Sequence, residues 1–254
     1  MDGLTLADNP RYRLRRHGRF LVASLRRPHR VLSTCRVHGG LREDLTHLVN
    51  HQSCEGVMPG EPGRPQHLPT HAEVCQAAAA PPAHTALMST AANMQCAVQA
   101  RAEHAELAVD VVATAGVLGN AVRAGDSAGW HETSHGSQRI VARHDRAEVI
   151  SAAEQGSGTI VILAFVNRPC TPACLVRAVT MLTEAKSTAL LDLRMPSLQS
   201  AGLATGTGTD QLAIAAPLPE REDHHEREAN WPRQWAGGHN SLGELLARAT
   251  HEAV

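Results

Sequence analysis

The chain has 254 residues, with 24 lysine and arginine residues against 25 aspartate and glutamate residues and a formal net charge of −1 at pH 7. This length is enough to bury a sizeable core and suits one large domain. The near-zero net charge removes any whole-chain electrostatic argument for binding nucleic acid or an anionic membrane, so neither is expected as a partner.

The first residues and the cysteines indicate a cellular location. The N-terminus, MDGLTLADNPRYRLRR, lacks the apolar stretch of a signal peptide, and the longest apolar run, TIVILAFV at 159–166, is too short to span a bilayer. The six cysteines form no CxxC pair, which favours reduced thiols over a disulfide framework. We therefore predict a cytoplasmic protein.

The first eighty residues contain predicted strands followed by two predicted helices. Residues Arg11–Cys35 have alternating apolar positions broken by HG and RRP, which predicts a hairpin or two strands with arginines on the exposed face. In LREDLTHLVNH at 41–51 the apolar residues recur at helical spacing and predict a helix. The Pro- and Gly-rich segment 55–69 predicts a long loop, and Thr70–Ala80 predicts a second helix that ends before Pro81.

The rest of the chain combines predicted strands with two more helices. HTALMSTA (84–91), CAVQARAE (96–103) and LAVDVVATAG (107–116) alternate in the manner of strands, and GTIVILAFVN (158–167) has the branched apolar run of a buried strand. The segment 171–193 predicts a helix capped by Thr171 with Pro172 in its first turn, and a last helix begins after Asn240 or Ser241.

These elements predict an α+β fold, a single domain with a mixed β-sheet flanked by helices. Within it, residues 1–30 are expected to form an N-terminal strand or hairpin extension packed on a main domain of residues 31–254.

A loop rich in glycine and threonine precedes the last predicted strand. In LATGTGTDQLAIAAP (203–217), residues 205–210, here called the Gly-Thr loop, hold two glycines, three threonines and Asp210. A phosphate-binding P-loop would continue through a lysine into a helix, whereas this segment continues into a strand. Its amides and hydroxyls suit an oxyanion hole for acyl transfer, shared by Thr207, Thr209 and Asp210. The alternative is a tight turn whose threonines bond to their own backbone.

Of the 24 lysine and arginine residues, only Lys186 is a lysine. It lies in TEAK of the long predicted helix, two positions after Glu184, so the two side chains project in different directions but can reach one cleft from its rim. A single lysine in a chain so biased toward arginine favours a functional role for Lys186. An exposed helix face is the alternative for both residues.

Histidines four residues apart, a spacing that places two imidazoles on one face of a helix, suggest a metal site. The pairs are His47 and His51, His67 and His71, and His131 and His135. Only the first pair falls in a predicted helix, with Cys54 as a third candidate ligand. Because 16 histidines make such pairs common by chance, a divalent metal is an alternative that the pattern does not favour, and no cofactor is expected to be required.

Five segments carry a family resemblance through their order and approximate spacing. They are LSTCRVHGG (32–40), TAGVLGNAVRAGD (114–126), GTIVILAFVNRPCTPACLVRAVTMLTEAKSTAL (158–190), ATGTGTDQLAIA (204–215) and WAGGHNSLGELL (235–246). From about Val31 to Ala253 the chain resembles the adenosylcobinamide amidohydrolases, and segment 54–82 matches poorly. The resemblance implies hydrolysis of the amide between the aminopropanol arm of adenosylcobinamide and a propionate of the corrin ring, with release of adenosylcobyric acid.

An amide is a poor electrophile, so its hydrolysis requires an activated water or nucleophile and stabilisation of the oxyanion. For this chemistry Asp210 or Glu184 is a candidate base, Lys186 a candidate for stabilising charge, and the amides of the Gly-Thr loop candidates for the oxyanion hole. A Thr209 nucleophile served by Lys186 is a second mechanism that the sequence permits. The amide-edged corrin should recruit polar side chains, and the candidates are Thr205, Thr207, Asn120, Arg123, Asp126, Asn167, Ser33, Thr34 and His239.

Two other functions stay open at this point. A non-enzymatic corrinoid-binding protein would use the same polar loops and leave adenosylcobinamide unchanged. A nucleotide-dependent enzyme comes third, and ATP would raise its melting temperature. In the leading interpretation the partner is a small-molecule corrinoid, and a homo-oligomer is left open.

Overall fold

Hydrogen bonds arrange the strands of this chain in two large β-sheets and one hairpin. A computed structural model describes residues 3–53, 69–140, 158–219 and 230–254. The first sheet has five strands, which in spatial order are β1 (Leu4–Asp8), β2 (Tyr12–His17), β3 (Phe20–Leu25), β6 (His47–Gln52) and β7 (Thr85–Thr90). Its neighbours are antiparallel except for the parallel pair β6 and β7.

The second sheet has six strands and is mixed, as predicted. In spatial order they are β5 (Gly40–Arg42), β4 (His29–Ser33), β13 (Gln211–Pro217), β12 (Ile160–Val166), β9 (Leu107–Ala115) and β8 (Val98–His104). Strands β12 and β13 run parallel, and the other neighbouring pairs are antiparallel. A separate hairpin pairs β10 (Trp130–Thr133) with β11 (Gly136–Arg139).

The described residues include three α-helices, each with a side-chain cap. They are α1 (His71–Ala77), α2 (Pro172–Asp192) and α3 (Ser241–Ala253). Thr70, Thr171 and Asn240 each accept a hydrogen bond from a backbone N–H of the first turn, which satisfies a donor that has no partner within the helix. The predicted helices after residues 70, 171 and 240 are therefore confirmed, although the first ends three residues before Ala80.

The predicted helix at 41–51 is wrong. Part of this segment forms β5, and the rest forms β6 within the five-stranded sheet. In β6, Leu48 packs between the two sheets and Val49 packs on the opposite face, and both are fully buried. A strand that is buried on both faces lacks a solvent-facing side, so its sequence need not alternate between apolar and polar residues. Its apolar residues can then match helical spacing by chance. The long loop predicted at 55–69 lies, except for its last position, outside the described residues.

Alternate residues of β12 pack on opposite faces of the six-stranded sheet. Ile160, Ile162, Ala164 and Val166 belong to the core formed with α2 and α3, whereas Val161, Leu163 and Phe165 belong to the core between the sheets. All seven side chains are buried. The layers are therefore the helices α2 and α3, the six-stranded sheet and the five-stranded sheet, an α+β fold in a single domain as predicted.

Strands β1, β2 and β3, which make up most of the predicted N-terminal extension, are neighbours in the five-stranded sheet. Strand β3 pairs with β6 over Phe20–Ser24, and Tyr12 of β2 stacks on Phe165 of β12 with ring centroids 4.0 Å apart. The division of the chain at residue 30 stays a prediction. Among the described helices, none has both the length and the apolar character needed to cross a membrane.

Candidate active site

Six strand ends meet at one edge of the two sheets. The carboxyl ends of β4 and β9 lie beside the amino ends of β13 and β12, because both pairs are antiparallel. The carboxyl ends of β6 and β7 reach the same edge, where Gln211 Nε2 of β13 donates to Ser89 O of β7 at 3.1 Å. Helix α2 starts beyond the opposite end of β12 and leads back to this edge. The fold therefore brings α2 and the Gly-Thr loop together.

Lys186 of α2 and Asp210 of the Gly-Thr loop form an ion pair with Nζ and Oδ2 2.6 Å apart. The two side chains are only 11% and 17% exposed. Asp210 Oδ1 also accepts from Ile160 N at 3.1 Å and from Thr207 Oγ1 at 2.6 Å, and Oδ2 accepts from Thr207 N at 3.1 Å. Four donors therefore fill the roughly four lone-pair sites of the carboxylate and hold the ammonium in one position.

Gly206 allows the loop backbone to pass close to this ion pair. A Cβ atom on Gly206 would overlap Asp210 Oδ2 and lie 2.7 Å from Lys186 Nζ. The loop is held against α2 by Ser187 Oγ, which donates to Thr205 O at 3.0 Å. Glycine is therefore required at this position by close approach of the backbone to two charged atoms.

Three threonine hydroxyls form a row that leads to Asp210. Thr159 Oγ1 lies 2.8 Å from Thr209 Oγ1, and Thr209 Oγ1 lies 3.2 Å from Thr207 Oγ1, which donates to Asp210. Thr209 Oγ1 is also 3.3 Å from Gly158 O. Thr207 is buried, whereas Thr209 is exposed. The row therefore joins Thr209, an exposed residue, to the largely buried carboxylate of Asp210.

A second loop, residues 116–126, packs against the Gly-Thr loop. Thr205 Oγ1 accepts from Ala124 N at 2.8 Å, and Arg123 Nη1 donates to Leu203 O at 3.1 Å. Val122 joins the two loops through the backbone, since its N–H donates to the carbonyl oxygen of Gly206 at 2.9 Å. Arg123 is exposed and Thr205 is half-buried, so these two predicted substrate-binding residues lie on the rim of the cluster.

Asn120 and Asp126 support the same loop from within. The Asn120 side-chain amide donates to Gly158 O, and its Oδ1 is buried without a hydrogen-bond partner among the described residues. Asp126 Oδ2 accepts from Ser197 Oγ at 2.6 Å and from Arg123 N at 2.8 Å. Burial opposes ionisation of Asp126, but these hydrogen bonds prevail and lower its pKa below the usual value.

Ser33 and Thr34 lie at the same edge, at the end of β4. Ser33 is buried, with Oγ 3.0 Å from Cys35 Sγ. Thr34 is exposed, and its Oγ1 accepts from Leu212 N at 3.0 Å. Thr34 follows β4 and lies beside Leu212 of β13, which is two positions after Asp210.

Three predicted site residues are not brought into the cluster. Asn167 follows the opposite end of β12, where its side chain donates to Glu106 O and accepts from Ala108 N, both at 2.8 Å. His239 is exposed in the turn before α3. Glu184 is exposed on α2 and, among the described hydrogen bonds and ion pairs, contributes no side-chain bond to the cluster.

Sequence reasoning missed the polar pairs beneath the cluster. Asn50 Nδ2 of β6 donates to Thr114 Oγ1 of β9 at 2.9 Å, and Thr90 Oγ1 of β7 donates to Thr159 O at 3.1 Å. Each bond joins one sheet to the other, and all four residues are buried. The available signal was a polar residue near the end of an apolar strand, but only the packing of the two sheets shows that these residues meet.

The histidine pair expected on a helix lies on a strand instead. His47 and His51 are in β6, and the ring of His51 stacks on Phe20 with centroids 5.0 Å apart. Within the described ranges, no group of three or more His, Cys, Asp or Glu residues is placed to hold a metal ion. Cys54 and His67 lie outside those ranges, so independence from metal stays a prediction.

Comparison with known proteins agrees with the resemblance seen in the motifs. An uncharacterized protein of Methanocaldococcus jannaschii is 32% identical over 171 residues, which cover 66% of this chain and 60% of that protein. The match thus spans less than two thirds of the relative. A family model described as adenosylcobinamide amidohydrolase matches residues 5–254. Because this match covers nearly the whole chain, the protein belongs to the adenosylcobinamide amidohydrolase family.

Proposed function

We propose that the protein hydrolyses the amide between the aminopropanol arm and a corrin-ring propionate of adenosylcobinamide, releasing adenosylcobyric acid. The observation that carries this proposal is the Lys186–Asp210 ion pair, which hydroxyl groups join to the exposed residue Thr209, in a chain of this family. Amide hydrolysis needs a nucleophile, a proton acceptor and stabilisation of the carbonyl oxygen as it becomes negative. The cluster supplies a candidate for each role.

The negative charge of the transition state has two candidate partners in the cluster. The Lys186 ammonium carries three N–H donors, one of which is directed to Asp210 at 2.6 Å. Gly208 is exposed in the loop, and within the described part of the chain its N–H donates to no other group. Donors fixed before the reaction stabilise an oxyanion without reorganisation, and each is worth roughly 3 kcal/mol of transition-state energy.

The corrinoid is the proposed partner, and its amide-edged ring would lie on the polar rim of the cluster. Arg123 and Thr34 are exposed there, and both offer hydrogen-bonding groups suited to amide side chains. Asn167 and His239, which lie elsewhere, are not assigned to this surface. A cytoplasmic location stays a prediction from the sequence.

The reaction needs water as its only co-substrate, so turnover is expected without ATP. The Gly-Thr loop supports this expectation because it enters strand β13 and not the start of a helix, as a P-loop would. Turnover in the presence of a chelator is also expected, as the histidine pairs of the described strands do not converge with a third ligand.

The test is incubation of the purified chain with adenosylcobinamide, with and without ATP and with and without a chelator, followed by mass spectrometry. Adenosylcobyric acid and free aminopropanol should appear in all four reactions. An absolute need for ATP would contradict the proposal in favour of a nucleotide-dependent enzyme. Tight binding of adenosylcobinamide with no product would instead indicate a corrinoid-binding protein, and activity restored to the chelated enzyme only by zinc would show that a metal takes part.

A further inference from the structure

We infer that Thr209 Oγ1 is the attacking nucleophile and that buried Thr207 is a positioning residue, which passes the Thr209 proton toward Asp210. For its natural substrate this inference rests on the proposed function. The sequence permits either an activated water or a threonine nucleophile, and the inferred mechanism uses the threonine. Thr207 then has a role distinct from substrate binding.

The hydrogen bonds of the threonine row lead to a carboxylate that can only accept. An ionised carboxylate only accepts hydrogen bonds, so the single Thr207 proton is committed to Asp210 Oδ1, 2.6 Å away. Thr207 Oγ1 then has only lone pairs left and can accept from Thr209 Oγ1 at 3.2 Å. The Thr209 proton has two other acceptors within reach, Thr159 Oγ1 at 2.8 Å and Gly158 O at 3.3 Å, but only the bond to Thr207 leads to Asp210. In that alignment the Thr209 proton is directed into the row, and one lone pair of the Thr209 oxygen stays free to attack a substrate carbonyl.

Thr159 strengthens this polarity from the other side. Its hydroxyl is 2.8 Å from Thr209 Oγ1 and 2.6 Å from Gly158 O, so it can donate to either oxygen. When Thr159 donates to Thr209, the row runs through Thr207 to the anionic Asp210, and chains of hydrogen bonds polarise one another in a site of low dielectric. The consequence is a Thr209 oxygen that is more electron-rich than an isolated threonine hydroxyl.

Asp210 has no acceptor capacity left for a substrate. Its two oxygens already accept from Lys186 Nζ, Ile160 N, Thr207 N and Thr207 Oγ1, so no lone-pair site is left for a substrate or a water. Of these four partners, the Thr207 hydroxyl is the one that also lies within hydrogen-bond distance of Thr209 Oγ1. A proton from the reacting centre therefore reaches Asp210 through Thr207.

The proposed reaction passes through an ester between Thr209 and the acyl group of the substrate. Thr209 Oγ1 bonds to the amide carbonyl carbon while its proton moves to Thr207 Oγ1 and the Thr207 proton moves to Asp210 Oδ1. The carbon–nitrogen bond then breaks, the row returns one proton to the leaving nitrogen, and aminopropanol departs as a neutral amine. The acyl group stays on Thr209 as an ester until one water hydrolyses it, which releases the carboxylic acid and restores the hydroxyl.

The test uses two substrates, so that the nucleophile and the natural reaction are judged separately. The full chain is treated with p-nitrophenyl acetate, a general acyl donor, and the acetylated residue is located by peptide mass spectrometry. Turnover of adenosylcobinamide is measured in parallel. The variants are Thr209→Ala, Thr209→Ser, Thr207→Val and Thr207→Ser, and the matched control is Thr85→Val. Thr85 is a buried threonine whose hydroxyl donates to Pro81 O at 2.7 Å, away from the site.

We expect acetylation of Thr209 in the wild type and in Thr85→Val, and its loss in Thr209→Ala. Thr209→Ala should lower kcat for adenosylcobinamide by about a thousandfold or more, and Thr209→Ser should retain turnover. Thr207→Val should lower kcat by about a hundredfold with little change in KM, and Thr207→Ser should restore most of it, because serine keeps the hydroxyl. A purely structural role of Thr207 would not depend on the hydroxyl in this way.

Thr209→Ala hydrolysing adenosylcobinamide near the wild-type rate, or acetylation elsewhere only, would overturn the inference. Full activity of a folded Thr207→Val variant would overturn the role of Thr207. If Thr209 is acetylated in a manner that needs Thr207 but adenosylcobinamide is left intact, the nucleophile assignment holds and the proposed function fails.

Discussion

At the residue scale, Asp210 serves the loop and the ion pair at the same time. Two of its four donors belong to Thr207, three positions earlier, so the carboxylate ties the Gly-Thr loop into a turn while it holds Lys186. Lys186 was a candidate from sequence because it is the single lysine of the chain, and Asp210 because it lies in the Gly-Thr loop. Their partnership depends on α2 returning to the edge where β13 begins, and the role of Thr159 depends on a hydroxyl 50 positions away, which no local pattern shows.

The Lys186–Asp210 pair is therefore expected to couple strongly in a double-mutant cycle. Lys186→Met and Asp210→Asn should each lower kcat by about a hundredfold or more, and each should cost about 2–4 kcal/mol in the free energy of unfolding, because a largely buried charge loses its partner. The double variant should be scarcely worse than the poorer single variant in both quantities. Steady-state kinetics and urea unfolding measure the cycle. Additive losses, or near-normal turnover of a folded Asp210→Asn variant, would contradict it.

Gly206→Ala is expected to separate the same two charged atoms by steric overlap. The new methyl group would overlap Asp210 Oδ2 and approach Lys186 Nζ to 2.7 Å, which should lower kcat at least about tenfold and destabilise the fold by about 1–3 kcal/mol. The control is Gly129→Ala, since a Cβ there has no heavy atom within 4 Å. Equal behaviour of the two variants in kinetics and thermal unfolding would show that the close approach at Gly206 is unimportant.

Among the elements, predictability followed how clearly the residue pattern of each segment matched one type of secondary structure. Helix α2 could be predicted because a cap, a proline in the first turn and one apolar face agree, and β12 because its apolar run is continuous. Strand β6 could not, because it packs on both faces and its two central apolar residues are flanked by His47, Asn50 and His51, which leaves neither an alternation nor a continuous apolar run. The same error placed His47 and His51 on a helix. The metal hypothesis for this pair depended on helical spacing, and both residues lie on strand β6.

The cap of α2 offers a test in which stability and chemistry separate. Thr171 accepts from Cys174 N at 3.2 Å at the end of α2 away from Lys186. Thr171→Ala should therefore destabilise the fold by about 1 kcal/mol in urea unfolding and leave kcat unchanged. Thr180→Ala, at an exposed position inside the same helix, should be neutral or slightly stabilising. A fall in kcat without loss of stability in Thr171→Ala would show that the start of α2 reaches the site.

Across the whole molecule, the packing of the two sheets with their neighbours buries two histidines that lie outside the proposed cluster. His29 at the start of β4 is 1% exposed, and His51 of β6 is 8% exposed. Burial lowers the pKa of each to about 4, aided by Arg27 and Arg11 near His29 and by Arg19 near His51. Neither residue is in the proposed site, so their titration should affect folding and not the chemical step.

These buried histidines predict that the free energy of unfolding falls at acidic pH. In the unfolded chain a histidine has a pKa near 6.5, so below pH 6.5 the unfolded state takes up protons that the folded state refuses until about pH 4. The unfolded state then binds more protons, and the free energy of unfolding falls as the pH drops through this window, with no contribution above it. His51→Phe keeps an aromatic ring beside Phe20 and removes one such group. Between pH 7.5 and pH 4.5, the free energy of unfolding measured with urea should fall by about 2 kcal/mol more in the wild type than in the variant. The pH 7.5 value gives the cost of the substitution itself, and parallel losses in both proteins would show that His51 is protonated equally in the folded and unfolded states.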